Sequence, residues 1–333
     1  MPIPVHSTRR AFLAATVPVL AAGTWPFGMA HAAGDFPSRP LRVLVPFGAG
    51  GVADLTARVV AQHMAGTLGQ PVVIENRPGA GGVVAADGVA KAPADGHTLL
   101  LMSNANAVSV SLFESLPFDT VRDFQPVSTL GTFDLALFVP AGSPFKSWSD
   151  LAAHARKQPG SLNVGTIQIG STQNLAAELM KTAAGLDFQV VPFNGSPAVF
   201  SALRGGQLDA VVEILTPMMP HVKAGAVRAL VVTNDRRSSA LPDVPSAREA
   251  GVPQWIATSW NALAVRSGAP QTALDALNAA IRAALAAPAV RQQLEALYIE
   301  PRASTPQDAS VLLRDEIRRW GGVIERAHIP KQG

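Results

Sequence analysis

The chain has 333 residues, of which 48% are hydrophobic and 15% charged, so it can bury the cores of two ordinary domains and is not an intrinsically disordered protein. It contains no cysteine, which excludes disulfide bonds, thiolate metal sites and a cysteine nucleophile. The formal net charge of +3 is not gathered into basic clusters with interleaved aromatic residues, so nucleic acid is not an expected partner.

The first 32 residues have the three parts of an export signal. Arg9 and Arg10 precede an apolar stretch that is too short to span a bilayer, and a small-residue cleavage motif ends at Ala32. The paired arginines favour the twin-arginine route. We therefore predict a twin-arginine-type signal peptide over residues 1–32, cleavage near Ala32, and a mature protein located in the periplasm.

After this segment, strand patterns alternate with helix patterns, which favours an α/β fold with mainly parallel sheets. The predicted strands cover residues 41–47, 72–75, 98–102, 135–140, 162–166, 188–192, 208–214, 227–233 and 260–265. The predicted helices cover residues 53–68, 83–90, 149–157, 170–184, 197–205, 270–286, 288–297 and 306–327. The chain is expected to cross between two lobes twice, near residues 138 and 260.

One glycine-rich sequence, Gly-Ala-Gly-Gly-Val, occurs at residues 48–52 and 79–83, each time between a predicted strand and a predicted helix. Glycine lets a ligand approach the backbone closely, and a helix start presents unpaired N–H groups and the positive end of the helix dipole. The segments 170–172 and 194–195 repeat the arrangement later in the chain. Several such turns converging on one cleft would hold a carboxylate, although each turn alone is equally well explained as a tight connection.

A dinucleotide-binding enzyme is the main alternative from the residues alone. Gly48, Gly50 and Ala53 fit the glycine fingerprint, and Glu75 closes the next strand about 20 residues later, where a ribose-binding acid would lie. Pro46 interrupts the usual entry into such a loop, and Glu75 runs directly into a turn where it would also fit a local ion pair. The histidines have no metal-ligand spacing and there is no nucleophile elbow, so we predict no catalytic residues, no metal and no cofactor.

A set of short motifs runs in order through nearly all of the mature chain, including Phe47-x-x-Gly50-Gly51-x-x-Asp54, Glu75-Asn76-Arg77-Pro78-Gly79, Asp95-Gly96-x-Thr98, Val191-Pro192-Phe193-x-Gly195 and Gly205-Gly206-Gln207-Leu208-Asp209. In these motifs the chain resembles the Bug family, the extracytoplasmic solute receptors of tripartite tricarboxylate transporters. The resemblance implies a two-lobed periplasmic-binding-protein fold of type II with two chain crossings at the hinge. Lobe 1 would then cover residues 33–138 and 260–333, and lobe 2 residues 139–259.

The resemblance also implies a cleft that closes on an organic acid. In this family, main-chain amides near the first glycine loop hold a ligand carboxylate, and Asp54 matches a residue that supports this loop. The other residues that match ligand-binding positions are Phe47, Gly48, Gly50, Gly51, Ser103 and Asn104 in lobe 1 and Gly170, Ser171, Thr172, Asn194 and Gly195 in lobe 2.

Departures from the family pattern bear on the ligand. Phe193-Asn194-Gly195 replaces a common Tyr-Lys-Gly, and Gln173-Asn174 stands where the family often has His or Thr-rich residues. Loss of the lysine favours a mono- or dicarboxylate over a tricarboxylate. Glu213, at the end of a predicted strand, is expected either to meet a ligand amine or to face solvent.

The sequence therefore predicts a monomeric, periplasmic solute-binding protein that captures a small organic carboxylate and works with membrane permease subunits of a tripartite tricarboxylate-type transporter. Two alternatives stay open. One is an exported NAD-dependent oxidoreductase, and the other is a ligand sensor for a signalling partner.

Overall fold

A strand followed by a glycine turn and a helix begins the part of the chain that the structure describes, residues 36–333 of a computed structural model. The predicted signal peptide lies outside these residues. The apolar run Leu41–Val45 forms β1, which is buried almost throughout, as is usual for a parallel strand covered on both faces. The helix α1 (Val52–Leu68) follows and ends where Gly69 adopts the left-handed conformation, with φ of 66°.

Two further strand–helix units complete the first half of the fold. Their elements are β2 (Val72–Asn76), α2 (Val83–Ala90), β3 (Thr98–Ser103) and α3 (Asn104–Leu112). The strand β1 lies between β2 and β3 and pairs in parallel with both. The carboxyl ends of these strands therefore lie at one edge of the sheet, together with the helix starts that follow them.

The second half of the fold repeats this plan. Its elements are β4 (Phe124–Pro140), α4 (Trp148–Lys157), β5 (Asn163–Ile167), α5 (Thr172–Ala184), β6 (Gln189–Phe193), α6 (Ser196–Arg204), β7 (Ala210–Ile214), α7 (Leu215–Lys223) and β8 (Val227–Val232). The strand β5 lies between β6 and β7 and is parallel to both.

A single long strand, β4, joins the two halves. Residues 124–134 pair antiparallel with β9 (Thr258–Arg266), which also pairs antiparallel with β3. Residues 135–140 instead pair antiparallel with β7 and β8. The neighbours of β4 therefore change between Asp134 and Leu135, and the sheet order is β2-β1-β3-β9-β4-β7-β5-β6.

Thr233 ties the returning chain to the point where the neighbours of β4 change. Its fully buried hydroxyl donates a hydrogen bond to the carbonyl oxygen of Ala257 at 2.6 Å and also contacts the carbonyl oxygen of Leu135 at 3.2 Å. The backbone N–H of Thr233 donates to the same Leu135 oxygen at 2.9 Å. The two connections between the halves thus run side by side.

The chain ends with helices that cover the sheet. These last elements are α8 (Gln271–Ala286), α9 (Pro288–Ala296), β10 (Glu300–Pro301) and α10 (Pro306–Arg326). The buried face of α8 packs with side chains of β1, β3 and α1 in one core, and α10 buries Trp320 in the core that extends from α3 to α5. Within residues 36–333 no single helix is long and apolar enough to cross a membrane.

The predicted elements agree with the structure except at four places, one of which is the two-residue strand β10, which was not predicted. β4 begins at Phe124 rather than near residue 135, and the helices α3 and α7 lie in segments that were not predicted as helices. The sheet is also more mixed than expected, because β4 and β9 run antiparallel to their neighbours.

Candidate ligand-binding site

The starts of five helices meet around one cavity of about 200 Å³ at the carboxyl ends of the parallel strands. We call it the central cavity. The helices α1, α3, α5, α6 and α7 each contribute residues of their first turn or the residue that precedes it. The lining residues are Phe47, Gly51, Val52, Ala53, Ser103, Ala105, Phe133, Ile167, Ser171, Thr172, Gln173, Ser196, Ile214, Ser259 and Asn261.

None of the described residues that line the central cavity has a charged side chain. The first N–H groups of each helix have no acceptor within the helix, and the helix dipole adds partial positive charge there. Each helix start stabilises a nearby anion by about 0.3–1 kcal/mol, and by up to about 2 kcal/mol where it is partly buried. An anion in this cavity would therefore be held by main-chain amides and hydroxyl groups.

The first glycine loop is held against α1 by Asp54. This side chain is 2% exposed and accepts a hydrogen bond from the N–H of Gly50 at 2.8 Å, where φ is 80°. It also accepts from Asn76 Nδ2 at 2.9 Å and from Arg58 Nε at 3.0 Å. Gly51 lines the central cavity, whereas the exposed Gly50 and the buried Asp54 do not, and the hydrogen bond between these two residues fixes the shape of the loop.

Asp54 is ionised under ordinary conditions. Burial alone would raise its pKa, but the hydrogen bonds from Arg58, Gly50 and Asn76 together outweigh burial and lower the pKa of Asp54 below the usual aspartate value. The negative charge of Asp54 is compensated by Arg58, so it leaves the amides of Val52 and Ala53 available to a second anion.

The segment between β3 and α3 contributes from the same half of the fold. Ser103 caps α3, with its hydroxyl accepting from the N–H of Ala105 at 3.3 Å, and it lines the central cavity. Asn104 is 1% exposed and does not line the cavity. Its Nδ2 donates to Thr172 Oγ1 at 3.2 Å and to the carbonyl oxygen of Thr258 at 3.0 Å, which connects α3 to the start of α5 and to β9.

The turn between β5 and α5 reaches the cavity from the other half. Ser171 and Thr172 line the central cavity, and Ser171 caps α5 by accepting from the N–H of Asn174 at 3.1 Å. Gly170 is buried with φ of 79°, and a Cβ atom at this position would overlap Leu112 of α3. The turn can therefore approach α3 this closely only because residue 170 has no side chain.

The family follows from comparison with known proteins. Residues 56–329 match the model of the tripartite tricarboxylate transporter family receptor. The chain belongs to this receptor family. Its members are solute-binding proteins of the periplasm, which confirms the prediction that this receptor is not an enzyme.

Solved structures of similar proteins share the fold of this receptor. The periplasmic binding protein BugD is 27% identical, with 89% of this chain and 100% of BugD covered and a TM-score of 0.79. Rpa4515 from R. palustris, solved with adipate, is 33% identical, with coverages of 90% and 100% and a TM-score of 0.82. MatC from Rhodopseudomonas palustris, with bound malate, is 35% identical, with coverages of 87% and 100% and a TM-score of 0.78. The predicted periplasmic-binding-protein fold and the resemblance to the Bug family are confirmed.

Glu213 of the receptor neither faces solvent nor lines the central cavity. Its side chain is fully buried behind the cavity wall, so the expectation that it faces solvent is wrong, and the direct contact with a ligand amine stays a prediction. Asn194 and Gly195 do not line the central cavity either. Gly195 instead precedes α6 with φ of 133° and lets Ser196 reach the cavity.

The receptor uses Glu75 in ion pairs at the sheet surface. Arg42 Nε lies 2.6 Å from Glu75 Oε1, Arg42 Nη2 lies 2.9 Å from Glu75 Oε2, and Arg77 Nη2 lies 3.2 Å from the same Oε2. The hydrogen bond with Arg42 is the main reason that the pKa of Glu75 is lowered. Both carboxylate oxygens are therefore occupied, which argues against the dinucleotide-binding alternative.

A second cavity of about 500 Å³ adjoins the central cavity of the receptor and shares Phe47, Ala105, Ile167 and Ser171 with it. We call it the adjoining cavity. Gly48 and Gly170 line it, and so does the second glycine cluster, at residues 79, 81 and 82. The first glycine cluster thus borders both cavities, with Gly51 in the central one and Gly48 in the adjoining one, whereas the second cluster borders the adjoining cavity.

Sequence reasoning did not select several residues of the central cavity. They are Val52, Ala53, Ala105, Phe133, Ile167, Gln173, Ser196, Ile214, Ser259 and Asn261. Val52 and Gln173 had a signal, because each follows a glycine or hydroxyl residue that opens a helix. Ser259 and Asn261 had none, because their place under the cavity depends on the pairing of β9 between β3 and β4.

Proposed function

We propose that this receptor captures a small mono- or dicarboxylate in the central cavity and delivers it to membrane permease subunits of a tripartite tricarboxylate-type transporter. The protein would act in the periplasm as a monomer after removal of residues 1–32 as a signal peptide. The known ligands of the two neighbours, adipate for Rpa4515 and malate for MatC, support a carboxylate as the ligand class.

The convergence of five helix starts on a cavity without charged side chains carries this proposal. Such a cavity offers many donors and no fixed cation, which suits an acid of low charge better than a tricarboxylate.

We further propose that residues 33–138 with 260–333 and residues 139–259 act as two lobes that close on the ligand. The change of β4 neighbours between Asp134 and Leu135, with Thr233 and Ala257 alongside, supports a hinge at these two connections. A smaller radius of gyration in solution scattering after ligand addition is the expected result, and an unchanged value would contradict closure.

A thermal-shift screen of mono-, di- and tricarboxylates, followed by calorimetry on the hits, tests the proposed function. A ligand that binds only the folded state at 100 times its Kd adds about 2.7 kcal/mol to the free energy of unfolding. We expect at least one mono- or dicarboxylate to bind with 1:1 stoichiometry. The absence of stabilisation by any carboxylate would contradict the proposal.

A further inference from the structure

Glu213 is a buried carboxylate that receives three hydrogen bonds and has no cationic partner among the described residues. Its Oε1 accepts from Gln173 Nε2 at 2.7 Å and from its neighbour's backbone, the N–H of Ile214, at 2.8 Å. Its Oε2 accepts from the hydroxyl of Ser196 at 3.0 Å. All three donor residues line the central cavity, so Glu213 lies directly behind its wall.

These hydrogen bonds determine which polar atoms of the cavity wall are available to a ligand. The ionised form of Glu213 accepts hydrogen bonds and does not donate them, so in this form the proton of Ser196 and one amide proton of Gln173 point away from the cavity. Glu213 leaves unpaired the oxygen Oε1 and the second amide proton of Gln173 and the lone pairs of Ser196 Oγ, so acceptors outnumber donors here. This part of the wall, formed by Gln173 and Ser196 and hereafter called the acceptor wall, therefore favours a ligand group that donates hydrogen bonds.

The rest of the cavity has the opposite character. The first N–H groups of α1 and α5, at Val52, Ala53 and Thr172, have no acceptor within their helices and suit a carboxylate. Near the acceptor wall, by contrast, the helix starts of α6 and α7 already have an anion beside them, the side chain of Glu213. A second ligand carboxylate placed there would meet mainly oxygen acceptors and, where Glu213 is ionised, a like charge.

We propose that the central cavity selects a monocarboxylate whose other end carries a hydrogen-bond donor, such as an amide, an ammonium or a hydroxyl group, over a dicarboxylate of the same length. Glu213 sets this preference as a positioning residue, since it fixes the hydrogen-bond direction of Ser196 and Gln173 without touching the ligand. This inference rests on the proposed function and narrows its ligand class.

Calorimetry with matched probes tests the preference. The probes are succinate, glutarate and adipate, and their monoamides succinamate, glutaramate and adipamate, each measured with the same preparation of the full mature chain from about pH 5 to about pH 9. For the chain length that fits best, we expect the monoamide to bind at least tenfold more tightly than the diacid at the upper end of this range, where Glu213 is ionised. Equal binding, or tighter binding of the diacid, would overturn the inference while leaving the receptor function standing.

Glu213→Gln tests the role of Glu213. The oxygen of the new amide can keep the bonds from Gln173 and Ile214, but its NH₂ group donates to Ser196, whose own proton must then turn elsewhere, towards the cavity. We expect the ratio of monoamide to diacid affinity to fall to within about threefold of unity. The matched control is Glu178→Gln on α5, a half-buried glutamate paired with Lys181 outside the cavity lining, which should leave the ratio unchanged.

Ser196→Ala provides a second variant in case Glu213→Gln does not fold. It removes one acceptor and leaves Glu213 in place, so the monoamide should lose at least fivefold in affinity and the diacid should not. A ratio that stays at the wild-type value in either folded variant would overturn the inference. If none of the six probes binds a protein that binds another carboxylate in the wider screen, the inference alone fails; if no carboxylate binds at all, the proposed function fails with it.

Discussion

Two buried carboxylates support the central cavity from behind, and their surroundings differ in charge. Asp54 lies beside Arg58 and two uncharged donors, and its pKa is lowered despite burial. Glu213 has three uncharged donors and no cation within the described residues, and burial raises its pKa in spite of the hydrogen bonds from Gln173, Ile214 and Ser196. The first residue shapes a loop, and the second orients the acceptor wall.

Replacement of Asp54 by alanine should loosen the first glycine loop. The variant loses acceptors for Gly50, Arg58 and Asn76, so we expect the free energy of unfolding to fall by about 2 kcal/mol and the Kd for the ligand to rise about tenfold. Chemical denaturation and calorimetry measure the two effects. Asp150→Ala is the control, because Asp150 also accepts backbone N–H bonds in the first turn of a helix, α4, far from the cavity lining. A similar loss of affinity in both variants would contradict a specific role for Asp54.

The raised pKa of Glu213 predicts how stability depends on pH. Because the carboxyl pKa is raised on folding, the folded state holds the proton of Glu213 more tightly than the unfolded chain does. The stability gained from this tighter proton binding is fully present below the unfolded pKa of ~4.3 and is lost as pH rises through the folded pKa. Glu213→Gln has no such titration. The stability of the wild type relative to the variant should therefore decrease as pH rises from 4 to 8 in denaturant unfolding, and an increase would contradict the raised pKa.

The sequence was enough to select Asp54 as a site residue, but it did not reveal which groups surround Glu213. Asp54 stands one helical turn before Arg58 and shortly after the glycine loop, so two of its partners, Gly50 and Arg58, are close in sequence. Glu213 meets Gln173 and Ser196, which belong to two other helices, and these contacts exist only after β7 has paired with β5. Local patterns carry no information about such a contact.

At the scale of the elements, the turn between β5 and α5 packs directly against α3. Gly170 packs against Leu112 and Val108, and the N–H of Gly170 donates to Asn174 Oδ1 at 3.2 Å. The same turn carries Ser171 and Thr172 into the central cavity. The packing of Gly170 therefore sets how far the start of α5 lies from the start of α3.

Gly170→Ala should weaken ligand binding through this packing. Both the positive φ, at about 1 kcal/mol, and the overlap with Leu112, at about 1–3 kcal/mol, disfavour the observed position of the turn. We expect at least a tenfold rise in Kd. Gly185→Ala is the control, because Gly185 also has a positive φ, 60°, but ends α5 with no atom near the new methyl group. Equal affinity of the two variants would show that the contact with α3 does not matter.

The helices α3 and α7 and the first part of β4 were missed because each contains residues that usually disfavour its own secondary structure. The helix α7 contains Pro217 and Pro220, which suppress a helix prediction, although Pro217 lies in the first turn, where a missing N–H costs nothing. The helix α3 is rich in asparagine and serine, which favour turns, and a capping box at Ser103 stabilises it. The first part of β4 contains Pro126 and Gly131, and both lie where its pairing with β9 is irregular.

At the scale of the whole molecule, β4 and the connection through Thr233 hold two similar halves together, and the central cavity lies where their helix starts meet. The alternation of strands and helices predicts these halves well, since each is a run of parallel strand–helix units. It does not predict which turns share a cavity. The glycine cluster at residues 79–83 lines the adjoining cavity, whereas Ser196 and Ile214, which have no glycine motif of their own beyond Gly195, reach the central one.

The most direct test of the account follows the backbone amide signals of the helix starts by NMR while the carboxylate found in the screen is added. If main-chain amides receive the ligand carboxylate, the N–H signals of Val52, Ala53 and Thr172 should shift downfield in step with occupancy, and their hydrogen exchange should slow. Unchanged signals at these three residues, with the ligand-dependent shifts confined to another surface of the protein, would contradict the claim that main-chain amides bind the ligand carboxylate.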